Sequence, residues 1–489
     1  METYSQILIK NLQKYDPYKK MTEYQIRKQV GQSYGIIRAR NIELEIELEK
    51  LQVSSSSIIE PSSTGKIKSP KSQRMIDVNG STYKKLVNEG YFKMVKTQEL
   101  YTVLPQELKE LISQDLDCET IISLLQTSKG QNAIILREKL KSEYHFNTSL
   151  LTPKQLVNLC YSKHVKIVGQ STFALLNRKG EVYVFGYNVN QYGMGINFEG
   201  MRQRTPVKIN FNKKVIDVST GFMNILLLTD QHQIYYTGEE ITPDINATKK
   251  FKLLNIKHAD AMGDFNRYII YLNNHYLYGL GFFENVFDYE EPTQLSNHLF
   301  SQFYISHDTV FAIDLIGQVY ILGRNKTLLN LNQKRDFHLN KLTLVPELND
   351  IVEISIGGDH ILFLNKYGEV FASGENRHGQ LGFSKDHEDY PLIKLNFKNI
   401  VHICAAYNTS YMIDHDMKLY GFGSNNNYIL GLEDEELDSE PIVLLNQIIQ
   451  VTSTSLLTLA LDINGDLHLF GKFDLDGPAV RKLDLNLFL

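Results

Sequence analysis

The side chains of this 489-residue sequence that could do chemistry are three cysteines, fourteen histidines and two short acidic stretches. Cys118, Cys160 and Cys404 lie too far apart for the paired spacing of a zinc site or a small disulfide framework. The sequence has no phosphate-binding P-loop, no G-x-S-x-G, no H-E-x-x-H and no C-x-x-C. We therefore expect no catalytic residues, no metal and no cofactor, and a protein that is not an enzyme.

The acidic stretches are residues 433–440 (EDEELDSE) and residues 288–291 (DYEE). The longer one has two interpretations: a recognition patch for a basic partner, or a solvated loop, which is the usual role of a charge run. The net charge of −5 gives no support for binding nucleic acid, and none is expected. We expect protein partners instead.

A sequence repeat indicates which secondary-structure elements position these side chains. An eleven-residue window recurs seven times; it opens on a large apolar residue and closes on glycine ten positions later. The windows are Leu176–Gly186, Leu228–Gly238, Tyr271–Gly281, Ile313–Gly323, Leu364–Gly374, Ile413–Gly423 and Leu461–Gly471. The centre of each is rich in Asn, Asp and Gly, which suit tight turns, and the flanks are aliphatic and aromatic. Each window therefore predicts a β-hairpin.

The closing glycines are predicted structural residues, placed where neighbouring backbones crowd together. They are Gly186, Gly238, Gly281, Gly323, Gly374, Gly423 and Gly471. The windows recur every 42 to 52 residues, which suits a four-stranded sheet, and a proline follows most windows at the start of a short segment: Pro206, Pro292, Pro346, Pro391, Pro441 and Pro478. Such sheets bury both faces only by stacking in a ring. We predict a mainly β chain with a seven-bladed β-propeller over residues 162–489.

These residues resemble the regulator of chromosome condensation repeat family. The fullest signature runs from Gly368 to Gly382 (GEVFASGENRHGQLG) and is preceded by the segment 357–360 (GGDH). Partial copies of its second half occur at Tyr187–Gly195 and Asn425–Gly431. The resemblance implies a propeller, and it assigns His360 and His378 either a hydrogen-bonding role or a ligand role. Because the sequence has no tryptophan, the WD and kelch repeat families fit worse.

The N-terminal third is predicted to be a small α-helical region in four parts. Residues 1–52 are predicted to be helical, and the Ser/Pro/Lys-rich residues 53–75 to be a flexible linker. Residues 76–102 are either a simple strand–turn–helix or, together with the residues just before them, a module resembling one found in proteins of large DNA viruses of protists. That resemblance implies an origin in such a virus or in a protist.

Residues 103–160 contain a segment that resembles an F-box. Pro105 suits the first turn of a helix, and Leu108 and Ile112 lie on one face of it. The residues implied to bind a Skp-type adaptor, within residues 103–129, are Leu104, Pro105, Leu108, Ile112, Leu116 and Leu124. The tryptophan usual in the third helix of an F-box is missing. The alternative is an ordinary helical hairpin that packs on its neighbours.

Three functions follow from this organisation. The first is a substrate-recognition subunit of a Skp–cullin–F-box ubiquitin ligase, with the target on the propeller. The second is a non-enzymatic propeller scaffold. The third, which the founding member of the repeat family implies, is a guanine-nucleotide exchange factor for a small GTPase. The first twenty residues lack a long apolar core, so we expect neither a signal peptide nor a membrane anchor, and an intracellular location, cytoplasmic or nuclear and in the host cell if viral.

Overall fold

The computed structural model divides the chain into two compact units, residues 1–143 and residues 144–489. The described residues are 66–68, 75–77, 140–141, 143–170, 172–187, 202–221, 224–238, 241, 248–265, 267–306, 308–325, 337–383, 389–433, 440–472 and 480–488. The predictions for residues 1–52 and for most of residues 76–139 therefore lie outside the described residues.

In the first unit, strands β1 (Lys66–Lys68) and β2 (Met75–Asp77) form a two-stranded antiparallel sheet. Ile67 pairs with Ile76. Strand β1 lies inside residues 53–75, the segment predicted to be a flexible linker, and β2 extends from its last residue into the next module. Backbone pairing thus orders part of that segment despite its polar composition, because hairpin hydrogen bonds need only a short β-prone run on each side of a turn.

The second unit opens with helix α1 (Pro153–Tyr161) and a 3₁₀ turn (Ser162–His164). Thr152 caps the helix: its side chain accepts from the Gln155 backbone N–H, and the Gln155 side chain accepts from the Thr152 backbone N–H. Residues 144–160, predicted within the helical module 103–160, belong to the same compact unit as the sheets. The reason is a set of long-range hydrogen bonds from this segment, described below.

The rest of the second unit is β-structure, with an additional 3₁₀ turn at Asn426–Tyr428. The strands are β3 (Lys166–Gly169), β4 (Thr172–Leu176), β5 (Val182–Tyr187), β6 (Arg202–Lys208), β7 (Val215–Thr220), β8 (Ile225–Thr229), β9 (Ile234–Gly238), β10 (Thr248–Leu253), β11 (Ala261–Phe265), β12 (Tyr268–Asn273), β13 (Tyr276–Phe283), β14 (Phe287–Ser306), β15 (Thr309–Asp314), β16 (Val319–Asn325), β17 (Phe337–Val345), β18 (Ile351–Ile356), β19 (His360–Asn365), β20 (Val370–Glu375), β21 (Asp389–Lys394), β22 (Ile400–Ala406), β23 (Thr409–Asp414), β24 (Leu419–Gly423), β25 (Ile442–Leu445), β26 (Ile448–Ser453), β27 (Leu457–Asp462), β28 (Asp466–Gly471) and β29 (Arg481–Asn486).

In the second unit these strands make five four-stranded antiparallel sheets and one sheet of seven strands. The large sheet, β11 to β17, is continuous through β14, which has twenty residues. The first part of β14, up to Leu299, pairs with β13, and the part from Phe300 onwards pairs with β15. One uninterrupted strand thus ends one group of four strands and begins the next.

Each window found in the sequence spans the end of the second strand of a group, the turn and the third strand, and the hairpin prediction is confirmed. In the first window Leu176 pairs with Val182, and the closing glycine, Gly186, pairs with Thr172. The proline prediction holds at Pro441, which immediately precedes β25, whereas Pro206, Pro292 and Pro391 lie inside β6, β14 and β21; Pro478 lies outside the described residues. Pro346 follows β17 rather than opening it, since that strand ends at Val345. The fourth strand of this group is β17 itself (residues 337–345), which pairs with β16 and contains no proline.

The sheets stack face to face. Every residue of β4, β8, β15, β19, β23 and β27, the second strands of their groups, is buried. A strand buried on both faces must lie between two neighbouring layers. The hydrophobic clusters show the same arrangement, because one contains Leu362 and Val370 of one sheet together with Met412 and Phe422 of the next. The core therefore lies between consecutive sheets.

The first strands of the groups contact one another in a circle. Strands β3, β7, β11, the second part of β14, β18, β22 and β26 follow one another, and β26 contacts β3. The first sheet, β3 to β6, and the last, β26 to β29, each consist of consecutive strands, so no strand is exchanged between them. The N-terminal segment of the second unit (residues 144–165) supplies additional contacts to β26 and to the turn after β27. Asn158 donates from Nδ2 to the Ile463 carbonyl, and Gln450 donates from Nε2 to the Ser162 and Val165 carbonyls.

We expect Asn158→Ala to lower the free energy of unfolding by about 1–3 kcal/mol, because it removes the buried hydrogen bond from the Asn158 side chain to the Ile463 carbonyl. Urea denaturation of the full chain measures the effect. Asn349→Ala is the matched control: Asn349 is exposed, and its Nδ2 donates to the Pro346 carbonyl at 3.2 Å. A loss no larger than that of the control would show that α1 does not stabilise the closure.

Candidate functional site

All seven closing glycines adopt positive φ, between 96° and 135°. At five of them a Cβ would overlap the carbonyl oxygen of a residue just before the second strand, for example Asp359 at Gly374 and Asn408 at Gly423. At four of these five, the residue after the glycine donates to the same carbonyl, as Glu375 does to Asp359. The closing glycines thus allow the third strand to pass close to the loop between the first and second strands.

The hairpin turns are fixed by one side chain at the second window position. Asn177, Asp314, Asn365, Asp414 and Asp462 each accept backbone N–H groups two and four residues further on. The sequence contains this signal, an Asn or Asp one residue after the opening apolar position. The third copy differs, because Asn274 and His275 form the turn with positive φ at both positions.

The Gly-Gln-Leu-Gly element of the fifth copy links two sheets. Asn376 Oδ1 accepts from the Leu381 N–H, and Leu381 is buried in the core against the next sheet. The Gln380 carbonyl accepts from the Ser410 hydroxyl of β23 at 2.7 Å. Ser410 in turn lies 2.8 Å from His360 Nε2, so the imidazole donates to the hydroxyl. Of the two roles kept open for His360, hydrogen bonding is the one observed.

The sixth copy repeats this arrangement with different residues. Asn425 Oδ1 accepts from the Leu430 N–H, and the Ile429 carbonyl accepts from the Thr458 hydroxyl of β27 at 2.9 Å. The Tyr411 hydroxyl donates to the same carbonyl. A loop that begins with Asn therefore joins each of these sheets to its successor. His378, the other histidine of the signature, takes part through its backbone N–H, which donates to Gln380 Oε1.

Polar side chains of the first strands join neighbours around the circle. Lys166 pairs with Asp217, and His402 Nδ1 lies 2.6 Å from Glu353 Oε1. His402 Nε2 also lies 3.2 Å from the Val451 carbonyl, so this imidazole connects three consecutive first strands. Burial lowers the pKa of His402, and the Glu353 carboxylate more than reverses this, so the pKa is raised.

A cavity of about 430 Å³ lies where the N-terminal segment meets the first strands. It is lined by Tyr144, Lys163, Lys166, Asp217 and Asp260, among others. Two lysines and two aspartates therefore lie on the cavity wall, which carries charges of both signs. A second candidate group is exposed: Leu315, Ile316 and Tyr367, which we call the rim patch, expose 53%, 72% and 62% of their surface.

The rim patch occupies two adjacent hairpin turns. Leu315 and Ile316 lie between β15 and β16, and Tyr367 lies between β19 and β20. Asp350 connects the two turns: its carbonyl accepts from the Lys366 N–H, and the next residue, Ile351, donates to the Gly317 carbonyl. Large apolar side chains at turn tips add nothing to the core, and Tyr is enriched where proteins bind one another.

The F-box-like residues Leu104, Pro105, Leu108, Ile112, Leu116 and Leu124 lie outside the described residues, as does the middle of the acidic stretch 433–440. No helix of the described part of the chain is long and apolar enough to cross a membrane. One feature was missed by the sequence analysis: His232, His258 and Asp260 come together although the two histidines are 26 positions apart. Sequence spacing carries no signal for such a group.

Stacked antiparallel sheets whose first strands form a circle define a protein of the β-propeller class. The model of the regulator of chromosome condensation (RCC1) repeat matches residues 351–380. Residues 351–380 are therefore an RCC1-type repeat, in agreement with the resemblance seen in the sequence.

The chain is similar to the Regulator of chromosome condensation of Drosophila melanogaster, with 24% identity over 57% of this chain and 48% of that protein. It thus spans about half the length of this relative. It is 34% identical to the Probable E3 ubiquitin-protein ligase HERC4 of Homo sapiens over 25% of this chain and 12% of that protein. The solved structure of Prp20p from Saccharomyces cerevisiae matches with a TM-score of 0.56 and 16% identity, over 68% of this chain and 90% of that one. The fold is RCC1-like.

Proposed function

We propose that this protein is a protein-interaction subunit whose RCC1-like propeller holds a target protein on the rim patch. The observation that carries the proposal is the exposure of Leu315, Ile316 and Tyr367 on two turns that Asp350 ties together. A rigid, hydrogen-bonded turn presents an apolar side chain at little entropic cost on binding. The target is therefore a protein with a complementary apolar pocket.

The propeller in this proposal has seven blades. Seven first strands contact one another in a circle, and β14 serves two blades because its two parts pair with different neighbours. The seven windows of the sequence match the seven second-strand and third-strand pairs.

The proposed connection to a larger assembly is the F-box-like segment. We infer that Leu104, Pro105, Leu108, Ile112, Leu116 and Leu124 bind a Skp-type adaptor, so that the chain acts as the substrate-recognition subunit of a Skp–cullin–F-box ubiquitin ligase. The support is the order of the chain: an apolar helical segment first and a closed β-domain for binding second. An intracellular location, cytoplasmic or nuclear, follows from this proposal.

Two double variants of the full-length chain test both halves of the proposal in one experiment. Leu108→Asp with Ile112→Asp is expected to reduce adaptor capture by at least about 10-fold and to leave target capture unchanged, because a charge enters the apolar docking face. Ile316→Asp with Tyr367→Asp is expected to do the reverse. Quantitative mass spectrometry after affinity capture measures both partners, and each variant is the control for the other.

Failure of the wild-type chain to bind purified Skp–cullin complex, with unchanged target capture, would leave the scaffold function and exclude the ligase subunit. Unfolding of the first double variant would show that Leu108 and Ile112 form a core rather than a docking face. Equal target capture by the wild type and the rim-patch variant would refute the binding surface. Release of nucleotide from a small GTPase on adding the protein would favour the exchange-factor function instead.

A further inference from the structure

His232, His258 and Asp260 place three ligand atoms within 4.8 Å of one another. Among the described residues this is the one group of three or more His, Cys, Asp or Glu side chains that meets that distance. It shares no residue with the rim patch and involves different hairpins.

Two of the three residues, His232 and Asp260, are held by backbone hydrogen bonds from different parts of the fold. His232 occupies the turn between β8 and β9 with φ 59°; its N–H donates to the Thr229 carbonyl, and its carbonyl accepts from Ala259. Asp260 donates from its N–H to the Leu272 carbonyl, and its Oδ2 accepts from the Asn274 N–H at 2.8 Å. The backbones of His232 and Asp260 and the carboxylate of Asp260 are therefore fixed before any ligand binds.

The ligand atoms have nearly the separation that a tetrahedral metal requires. Asp260 Oδ1 lies 2.9 Å from His258 Nε2 and 3.5 Å from His232 Nδ1. Zinc bonds to nitrogen and oxygen of about 2.0–2.1 Å imply ligand atoms roughly 3.3 Å apart in a tetrahedron. Both nitrogens lie near the same carboxylate. The two imidazole rings are stacked, with centroids 4.2 Å apart and an interplanar angle of 23°, so the rings must turn apart for both lone pairs to point at one ion.

We propose that His232, His258 and Asp260 bind a divalent zinc ion, with one coordination position left to water or to a partner's side chain. Two imidazoles and a carboxylate form a ligand set typical of zinc. About 40% of each side chain is exposed, so the ion has access from solvent. His232 Nδ1 lies 3.1 Å from the Ala259 carbonyl; coordination by this nitrogen replaces that contact and places the ring proton on Nε2.

The ion would connect two consecutive sheets. His232 belongs to the hairpin of β8 and β9, whereas Asp260 immediately precedes β11 and caps the hairpin turn of β12 and β13. Asp260 also lines the 430 Å³ cavity. Zinc binding should therefore stabilise this part of the ring, because an ion that binds only the folded state raises its stability by mass action.

The test uses the metal-free full-length chain and zinc chloride, with a competing chromophoric chelator to measure affinity. We expect one high-affinity site per chain, with a dissociation constant below about 10 µM, and a rise in melting temperature of about 2 °C or more. His258→Ala should weaken the binding by more than the roughly 10- to 100-fold that loss of an outer-shell partner causes. Cobalt in place of zinc should give visible ligand-field absorption that the variant lacks.

His298→Ala is the matched control, because His298 is 49% exposed and lies 3.5 Å from the Asp314 carboxylate without belonging to a three-residue group. His232→Asn gives a second variant that keeps a residue tolerant of positive φ at the turn. Both His258→Ala and His232→Asn should melt like the wild type in the presence of EDTA. Zinc binding that is absent in the wild type, or that His298→Ala weakens as much as His258→Ala, would overturn the proposal.

Discussion

Gly374→Ala is expected to lower the free energy of unfolding by roughly 3 kcal/mol or more. The backbone at Gly374 has φ 109°, a region in which a side chain costs about 1–2 kcal/mol. The added Cβ would also overlap the Asp359 carbonyl oxygen and lie 2.8 Å from His360 Cα. Backbone cannot move aside as the end of a flexible side chain can, so overpacking adds about 1–3 kcal/mol.

Chemical denaturation of the full chain measures this effect, and Gly358→Ala is its control in the same sheet. Gly358 has no positive φ, and a Cβ there would meet its nearest atom, the Tyr407 carbonyl oxygen, at 3.2 Å. We expect the control to cost no more than about 1 kcal/mol. If the two substitutions were equally mild, close passage of the third strand would not be the reason for glycine at the window end.

The second large effect is on the pH dependence of the free energy of unfolding, and it concerns Asp264, a buried residue of β11. Ser219 Oγ donates to its Oδ1 over a long 3.4 Å, and its Oδ2 is buried without a hydrogen-bond partner among the described residues. Burial raises the pKa of Asp264 from 3.8 to about 7, and hydrogen bonds from Asn224 and Ser219 only partly oppose this. Gly221 allows the arrangement, because a Cβ at that position would overlap Oδ2.

A raised pKa in the folded state means that the folded chain holds a proton that the unfolded chain releases. The associated stability is complete below pH 3.8 and is lost as the pH rises to about 7, at about 1.4 kcal/mol per pH unit, or roughly 4 kcal/mol in all. Asp264→Asn cannot ionise. Its free energy of unfolding, relative to the wild type, should therefore rise across this interval.

His360 provides the opposite pH dependence. Burial lowers the pKa of this imidazole from 6.5 to about 4, so the folded chain keeps it neutral. The stability it contributes is present above pH 6.5 and is lost as the pH falls to about 4, by roughly 3 kcal/mol. His360→Gln keeps an N–H donor near Ser410 and removes the titration.

Denaturation curves of the wild type and of both variants between pH 4 and pH 8 give the two slopes. In the wild type the contributions of Asp264 and His360 oppose each other between pH 4 and 6.5, so each variant should reveal the slope of the group that remains. A difference curve for Asp264→Asn that does not change with pH would show that the carboxyl group is ionised in the folded protein.

Much of the β-structure could be predicted because it depends on local chemistry. An Asn or Asp such as Asn365, followed by glycine at the turn, closes a hairpin through contacts within five residues. The alternation that follows is also local: Val370 is buried and Phe371 is half-buried, as neighbours on opposite faces of a strand must be. The mainly β character and the RCC1-type repeats were therefore visible in the residues themselves.

The candidate sites could not be predicted from the sequence, because they depend on contacts between residues far apart in the chain. Ser410 and Gln380 lie thirty positions apart, and His232 and Asp260 lie 28 apart. No hydrophobic period or turn rule relates such positions, because the contact depends on how two complete sheets stack. The fusion of two groups of strands through β14 was also invisible, since Pro292 predicted a strand start but lies inside β14, and nothing in the sequence marked the missing break before Phe300.

The sequence by itself thus determined the hairpins, their number and the repeat class, because turn chemistry and strand alternation act between residues close in the chain. The tertiary structure alone decided that Asp264 is buried, that β14 serves two groups, and that two histidines and an aspartate share one place. Stacking in a circle brings together positions that the chain separates, and the energy of that packing depends on all the sheets at once.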